Sequence, residues 1–192
     1  QLGLPDLSPL HRIDRDTAGL VLLSTQRSDR GAYQALFREQ RVHKTYQAIA
    51  PYRPELGFPR EHHSRMQESG HFIRMQEVAG PPNSHTRLTL LEHNTHWARY
   101  QLEPISGKRH QLRVHMAALG IGILGDGLYP EVNDAPEGDF SRPLRLLAQA
   151  ITFTDPLTQQ QRHFHSQYTL GALPPEPAPS GQQTWQGLPA NA

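Results

Sequence analysis

The sequence contains no cysteine. That absence removes disulfide staples, thiolate nucleophiles and cysteine-ligated zinc or iron–sulfur centres, and leaves packing to hold the fold. No apolar run approaches the roughly 18–20 residues that cross a bilayer. No basic stretch followed by an apolar core opens the chain. The expectation is a soluble, cytoplasmic protein with no membrane partner. Net charge is nearly absent too, at a formal +1, so bulk electrostatics does not by itself mark a nucleic-acid partner. Lysine is scarce: seventeen of the nineteen basic residues are arginine, whose planar fork suits phosphates and base edges. GxSxG, P-loop, HExxH and EF-hand patterns are all missing, which removes the simplest hydrolase, nucleotidase and metal readings. The glycine-rich GIGILGDG at 120–127 follows a helix instead of opening one, so a dinucleotide fold is not indicated.

What is present fits one domain of 192 residues. GLVLLS (19–24) reads as a short buried strand. Ser28 then leads into AYQALFREQ, with Tyr33, Leu36 and Phe37 on one helical face. HKTYQAIAP (43–51) alternates and stops at proline, placing Tyr46 in a strand. Residues 52–83 read as an extended, polar excursion with a hairpin, in which FIRMQEV is the one convincing strand. RLTLLEH (87–93) and WARYQLEPI (97–105) flank a turn at Asn94-Thr95 and make an antiparallel hairpin. A helix is expected from Lys108 to Leu119, capped by Ser106 and ended by a left-handed Gly120. IGILGDGLYP is expected to hold a short strand, residues 130–142 a polar loop, and LLAQAITFTDP and HFHSQY the last strands. The class is α+β, with a mixed, mostly antiparallel sheet and flanking helices. From Leu173 the Pro-rich composition predicts a disordered tail over 173–192, the domain proper being 1–172.

Two stretches carry candidate chemistry. In PLHRIDRDTAGLVLLS a charge cluster stands at the mouth of an apolar run. Asp14 there is either a carboxylate held on a rigid element for catalysis or an ordinary turn residue. In GKRHQLRVH the spacing places Arg109, His110 and Arg113 on one helical face, beside free N–H groups at Ser106, Gly107 and Lys108. That is either a seat for an anion or a solvated basic face. The histidine pairs 62/63, 93/96, 110/115 and 163/165 match no strong metal template.

Taken together the stretches resemble a family. HRIDRDTAGLVLLS resembles the catalytic motif of the RluA family of pseudouridine synthases, HRLDxxTSGLLLL, with Ile13 for leucine and Ala18 for serine. KTYQA (44–48) is similar to its K-x-Y-x-A segment. SGKRHQLRVHMAALGIGILGDGLY (106–129) is similar to its third motif, GRxHQLRxHxxxxGxPIxGDxLYG. RLLAQAITFTDPLT (145–158) resembles the closing strand, with Asp155 standing for its second histidine. The resemblance runs from about Leu10 to His165, with the motifs in order.

The resemblance implies an isomerase that breaks the N1–C1′ bond of a uridine within rRNA or tRNA, turns the uracil and rejoins it through C5. It implies Asp14 as the essential aspartate, Tyr46 as the ring under the target base and Arg113 as the cation paired with Asp14. It implies Arg12 as the side chain that fills the gap in the RNA stack, with Lys108, Arg109 and His110 on the RNA. A carboxylate at the rim of a core needs such a cation to stay ionised, and a stacked base must be flipped out to be reached. No metal or organic cofactor is implied, and a monomer is expected. The family's opening strand and K-P-x-G segment do not precede His11 here, so a fragment is expected, with a sheet edge left open. The alternatives are a non-catalytic RNA-binding module on the same fold and a histidine-ligated metal hydrolase.

Overall fold

The computed structural model describes residues 3–70, 73–132 and 141–175. In chain order they form β1 (Ser8–Pro9), β2 (Ala18–Gly19), β3 (Leu23–Ser24), α1 (Arg30–Arg38) and β4 (His43–Pro51). Then come β5 (Arg60–Glu68), β6 (Met75–Val78), β7 (Ser84–His93), β8 (Trp97–Pro104), α2 (Gln111–Ala118), β9 (Leu146–Thr154) and β10 (Gln161–His165). The main sheet runs β10-β9-β4-β8-β7-β5-β6, with β2 on β9; β1 pairs only β3. Its pairs are antiparallel except β2 with β9. The expected α+β class, its mostly antiparallel sheet and its flanking helices are all present.

The position of the helices follows from one irregularity. Tyr46 pairs with Ala148 and Thr45 with Ala150, so Gln149 is an extra residue in β9. Directly paired side chains share a face of the sheet, and a bulge of one residue reverses which face the rest of a strand presents. Leu146 and Ala148 therefore face the same side as Tyr46 and Ala48, and beyond the bulge Ile151 and Phe153 take over that side. Against the first group packs α2, through Leu112 and Met116. Against Ile151 and Phe153 packs α1, through Leu36, with Tyr33 and Phe37 at its margin. Both helices thus lie on one face, and a cleft opens between the end of α1 and the start of α2.

Several elements differ from expectation. β5 was not legible: REHHSRMQE buries only Ser64 and Met66, and the strand exists because β7 and β6 pair its two edges. GLVLLS is not one strand but two short bridges, β2 and β3, joined by half-exposed chain. IGILGDGLYP forms no strand. Its Leu124 instead links two others, its N–H donating to Ile49 O at 2.9 Å and its carbonyl accepting from Arg145 N at 2.8 Å. Helix α2 begins at Gln111, three residues later than expected, while Gly120 follows it at φ 72° as expected. Residues 173–175 do not lie loose: Leu173 packs beside Ile49, Leu147 and Leu170, and Asn94 Nδ2 donates to Pro174 O at 3.0 Å. The rest of the expected tail, like most of the 130–142 loop, lies outside the described residues.

The loop that carries Asp14 is seated on β9 by a glycine. Gly19 has φ 108°, and a Cβ there would lie 2.3 Å from Ala148 O, so neither the conformation nor the space admits a side chain. Leu20 N then donates to that same carbonyl at 3.1 Å. Gly19→Ala is therefore expected to cost about 1–3 kcal/mol, the range for a strained backbone position. Urea unfolding measures it, and unchanged stability would show that the loop is not held in this way.

Candidate active site

The cleft between the helices has a volume of about 350 Å³, and Asp14, Lys44, Tyr46, Arg12 and the 104–112 segment all line it. Its floor is β4, whose alternation turns Lys44 and Tyr46 to the same side. One wall is the loop 10–17. There His11 works as a brace: its Nε2 accepts Leu22 N–H at 3.0 Å, its Nδ1 lies 3.3 Å from Arg12 O, and its ring stacks on Phe37 at 4.7 Å. Burial pushes its pKa down, which keeps the ring neutral for that bond. Asp14 uses its own carbonyl to close a turn, accepting Thr17 N–H at 3.1 Å, while its carboxylate points into the cleft. Both readings of Asp14 thus describe it, one for the main chain and one for the side chain. Asp16 is exposed, as is Arg12.

Behind the opposite wall stands Arg113, only 2 % exposed. Its main partner is Asp126. Nε donates to Asp126 Oδ2 at 2.8 Å and Nη2 to Oδ1 at 2.6 Å, a two-bond fork of the strongest kind. Nη1 remains, and it lies 3.9 Å from Asp14 Oδ2. The expected pairing of Arg113 with Asp14 is therefore an approach of charges beyond hydrogen-bond length, and the hydrogen-bonded partner was missed. Burial works against the guanidinium's charge, but the bonds and charge of Asp126, aided by Asp14 and Asp16, outweigh it and raise its pKa. Asp126 also accepts Leu128 N–H at 2.8 Å and Tyr129 N–H at 3.1 Å. The preceding Gly125 makes this turn possible, with φ 78° and Pro143 O where a Cβ would stand. The ring of Tyr129 lies beneath Arg113 at 5.4 Å. The signal for Asp126 in the sequence is the GD pair of the third motif, which carries no periodicity that would mark it as buried.

The basic face expected on α2 is not there. His110 caps the helix at φ 54°, and Arg109 precedes it and reaches Glu68 at 3.8 Å, so Arg109 and Arg113 point to different places. The N–H of Lys108, expected to be free for an anion, donates to Gln111 Oε1 at 3.0 Å, and Ser106 Oγ donates to the same oxygen at 2.7 Å. Gln111 thus ties down the turn before its own helix, whose N-cap His110 makes no side-chain cap bond and which Ser106 does not cap as expected, and its Nε2 ties the helix to His85 O at 2.9 Å. Lys108 is exposed, and His110 reaches the Tyr129 hydroxyl at 2.9 Å. The pKa of His110 is lowered by burial and by Arg113 and Arg109, against Asp14 and Asp126. Tyr46 is pushed up to about 12, by burial first and then by the charge of Asp14, so its phenol is neutral at ordinary pH. Lys44, unremarked in the sequence beyond its motif, is pushed down by burial.

A family model described as RNA pseudouridylate synthase matches residues 1–118. An uncharacterized RNA pseudouridine synthase of Haemophilus influenzae is 34% identical over 141 residues, 67% of this chain and 57% of that protein. Ribosomal large subunit pseudouridine synthase C of Vibrio cholerae is 32% identical over 162 residues, 83% of this chain and 51% of that protein. The dual-specificity RNA pseudouridine synthase RluA of Pasteurella multocida is 32% identical over 164 residues, 81% of this chain and 71% of that protein. Among solved structures, human RNA pseudouridylate synthase domain containing 1 superposes with a TM-score of 0.70 at 24% identity. The match covers 84% of this chain and 69% of that one, a likeness of fold. The chain thus spans little more than half the length of the first two relatives.

Asp126→Ala strips the buried guanidinium of its hydrogen-bonded counter-ion. A loss of about 3–5 kcal/mol is expected, the usual cost of breaking one side of a buried pair. Denaturant unfolding of the variant measures it, and a loss below about 1 kcal/mol, the range of a surface pair, would show that Asp126 does not hold Arg113.

Proposed function

The chain belongs to the RluA family of RNA pseudouridine synthases, and on that premise we propose that it isomerises uridine to pseudouridine within RNA, in the cleft between α1 and α2. The observation that carries the proposal is that Asp14 and Tyr46 line one cavity, with Nη1 of the buried Arg113 3.9 Å behind the Asp14 carboxylate. Its volume is within the range of small-ligand pockets, about 300–1,000 Å³, and suits a single extruded nucleoside rather than a duplex.

Each residue has a role in this reading. Asp14 acts at C1′ of the ribose, where positive charge develops as the N1–C1′ bond breaks, as glycosidase carboxylates do. Arg113 lends the carboxylate a fixed positive charge without a hydrogen bond that would blunt it as a nucleophile. Tyr46 lies under the freed uracil and, as a neutral phenol, presents a ring for stacking and a hydroxyl for hydrogen bonding. Arg12, exposed at the rim, takes the place of the departed base by stacking its guanidinium on the neighbours, which offsets part of the few kcal/mol that flipping costs. Lys108, Arg109 and His110 meet the RNA backbone along the edge of the cleft. The reaction needs no cofactor in this proposal, because the bond broken and the bond formed belong to one substrate. A ribosomal or transfer RNA is the proposed substrate, in keeping with the names of the relatives. The proposal also keeps a cytoplasmic monomer.

Isomerisation replaces the C5–H bond of uridine by C5–C1′, so tritium placed at C5 is released to water. Transfer RNA and large-subunit ribosomal RNA transcripts carrying that label are the probes. Release is expected with the native chain and none with Asp14→Asn, whose RNA affinity is expected to stay within about tenfold because the lost group acts in the transition state. Turnover by the variant at the native rate would overturn the assignment, and RNA binding without release by the native chain would favour a binding module.

A further inference from the structure

One turn along α2 from Gln111, His115 is fully buried. Its Nδ1 lies 2.9 Å from Thr86 Oγ1, which accepts a second bond from Gln111 Nε2 at 3.0 Å. Its Nε2 faces β5 and β7, 2.9 Å from Ser84 Oγ and 3.1 Å from Ser64 Oγ. Next to that nitrogen stands a carboxylate: Glu77 Oε1 is 3.8 Å from His115 Nε2 and 2.8 Å from His62 Nε2. The three ligand atoms, two imidazole nitrogens and a carboxylate oxygen, lie within 4.8 Å of one another.

We propose that His62, Glu77 and His115 form a zinc site of three protein ligands with an open fourth position, which fastens the β5–β6 hairpin to α2. Two histidines and a glutamate are a known zinc donor set, and ligand atoms about 2.0–2.1 Å from a tetrahedral ion stand about 3.3 Å apart. The 2.8 and 3.8 Å separations bracket that value, and the third, between the two imidazole nitrogens, is within 4.8 Å. The second layer is in place: a zinc-ligating imidazole generally has its other nitrogen hydrogen-bonded, which fixes the ring, and Thr86 does this for His115. The serines that now face Nε2 keep partners when the ion takes it. Ser84 Oγ donates to Ser64 O at 2.8 Å, and the two hydroxyls lie 3.0 Å apart. His62 and Glu77 are 18% and 25% exposed, which leaves a path for the ion and a fourth position for water or Ser64 Oγ. His115 stands within the third motif, whereas His62 and Glu77 lie outside the motifs that carry the resemblance.

A second trio, Glu61, His63 and His85, lies on the other face of β5. Its Glu61 Oε2 stands 3.3 Å from His63 Nε2 and 3.2 Å from His85 Nε2, but it is the weaker candidate, since Glu61 and His63 are exposed, no member is buried, and the other Glu61 oxygen is tied to Arg87.

The test is zinc titration of the untagged chain against a chromophoric chelator, with cobalt as a spectroscopic substitute. One equivalent of zinc is expected, with a rise in melting temperature and a four-coordinate cobalt spectrum. Replacing His115 would disturb the core, so the partly exposed His62→Gln and Glu77→Gln carry the assignment. Each is expected to weaken binding at least about tenfold, with His63→Gln unchanged. No stoichiometric binding, or binding lost in His63→Gln and kept in His62→Gln, would overturn the proposal.

Discussion

Everything at the candidate site depends on how one guanidinium divides itself between two carboxylates. Asp126 takes the Nε–Nη2 edge of Arg113 in two short bonds and is itself sealed and bonded to backbone N–H groups. The remaining Nη1 is left with Asp14, close enough for charge but too far for a hydrogen bond. A lysine could not do this, because a single ammonium has no second edge to offer once its first partner is satisfied. The buried pair costs desolvation energy, and its return is a positive charge fixed in place beside Asp14.

The two walls of the cleft are fixed in different ways. Helix α2 is held from beneath by Leu112 and Met116, from its start by Gln111 and from its side by His115. The loop with Asp14 has little packing of its own and relies on three small devices: the His11 brace, the turn closed by the Asp14 carbonyl and the close seating of Gly19 on β9. Catalytic groups placed on loops need such devices, since a shift of about 1 Å is enough to cost two orders of magnitude in rate.

Much of this was legible in the sequence. The strand at His43–Pro51, the hairpin that follows and the strand at 146–154 alternate or run apolar because they border the core, and periodicity reports the core. β5 was hidden because its side chains are satisfied by each other, Glu61 with Arg87 and His62 with Glu77, instead of by burial. The motif residues Asp14, Tyr46 and Arg113 do converge, whereas the basic face across 109–113 dissolves because the chain enters α2 through a left-handed His110. Asp126 escaped because its importance comes from a partner thirteen positions away across a turn, and local pattern carries no trace of such a contact.

The bulge at Gln149 bears on how this chain can vary. A strand that keeps its core residues to one face across a bulge has no neutral place within it to gain or lose a residue: one step of slippage would turn Ile151 and Phe153 to the side opposite α1, or Leu146 and Ala148 away from α2. Side chains along this segment can be exchanged without disturbing the register, whereas a change in length belongs in the connections at either end.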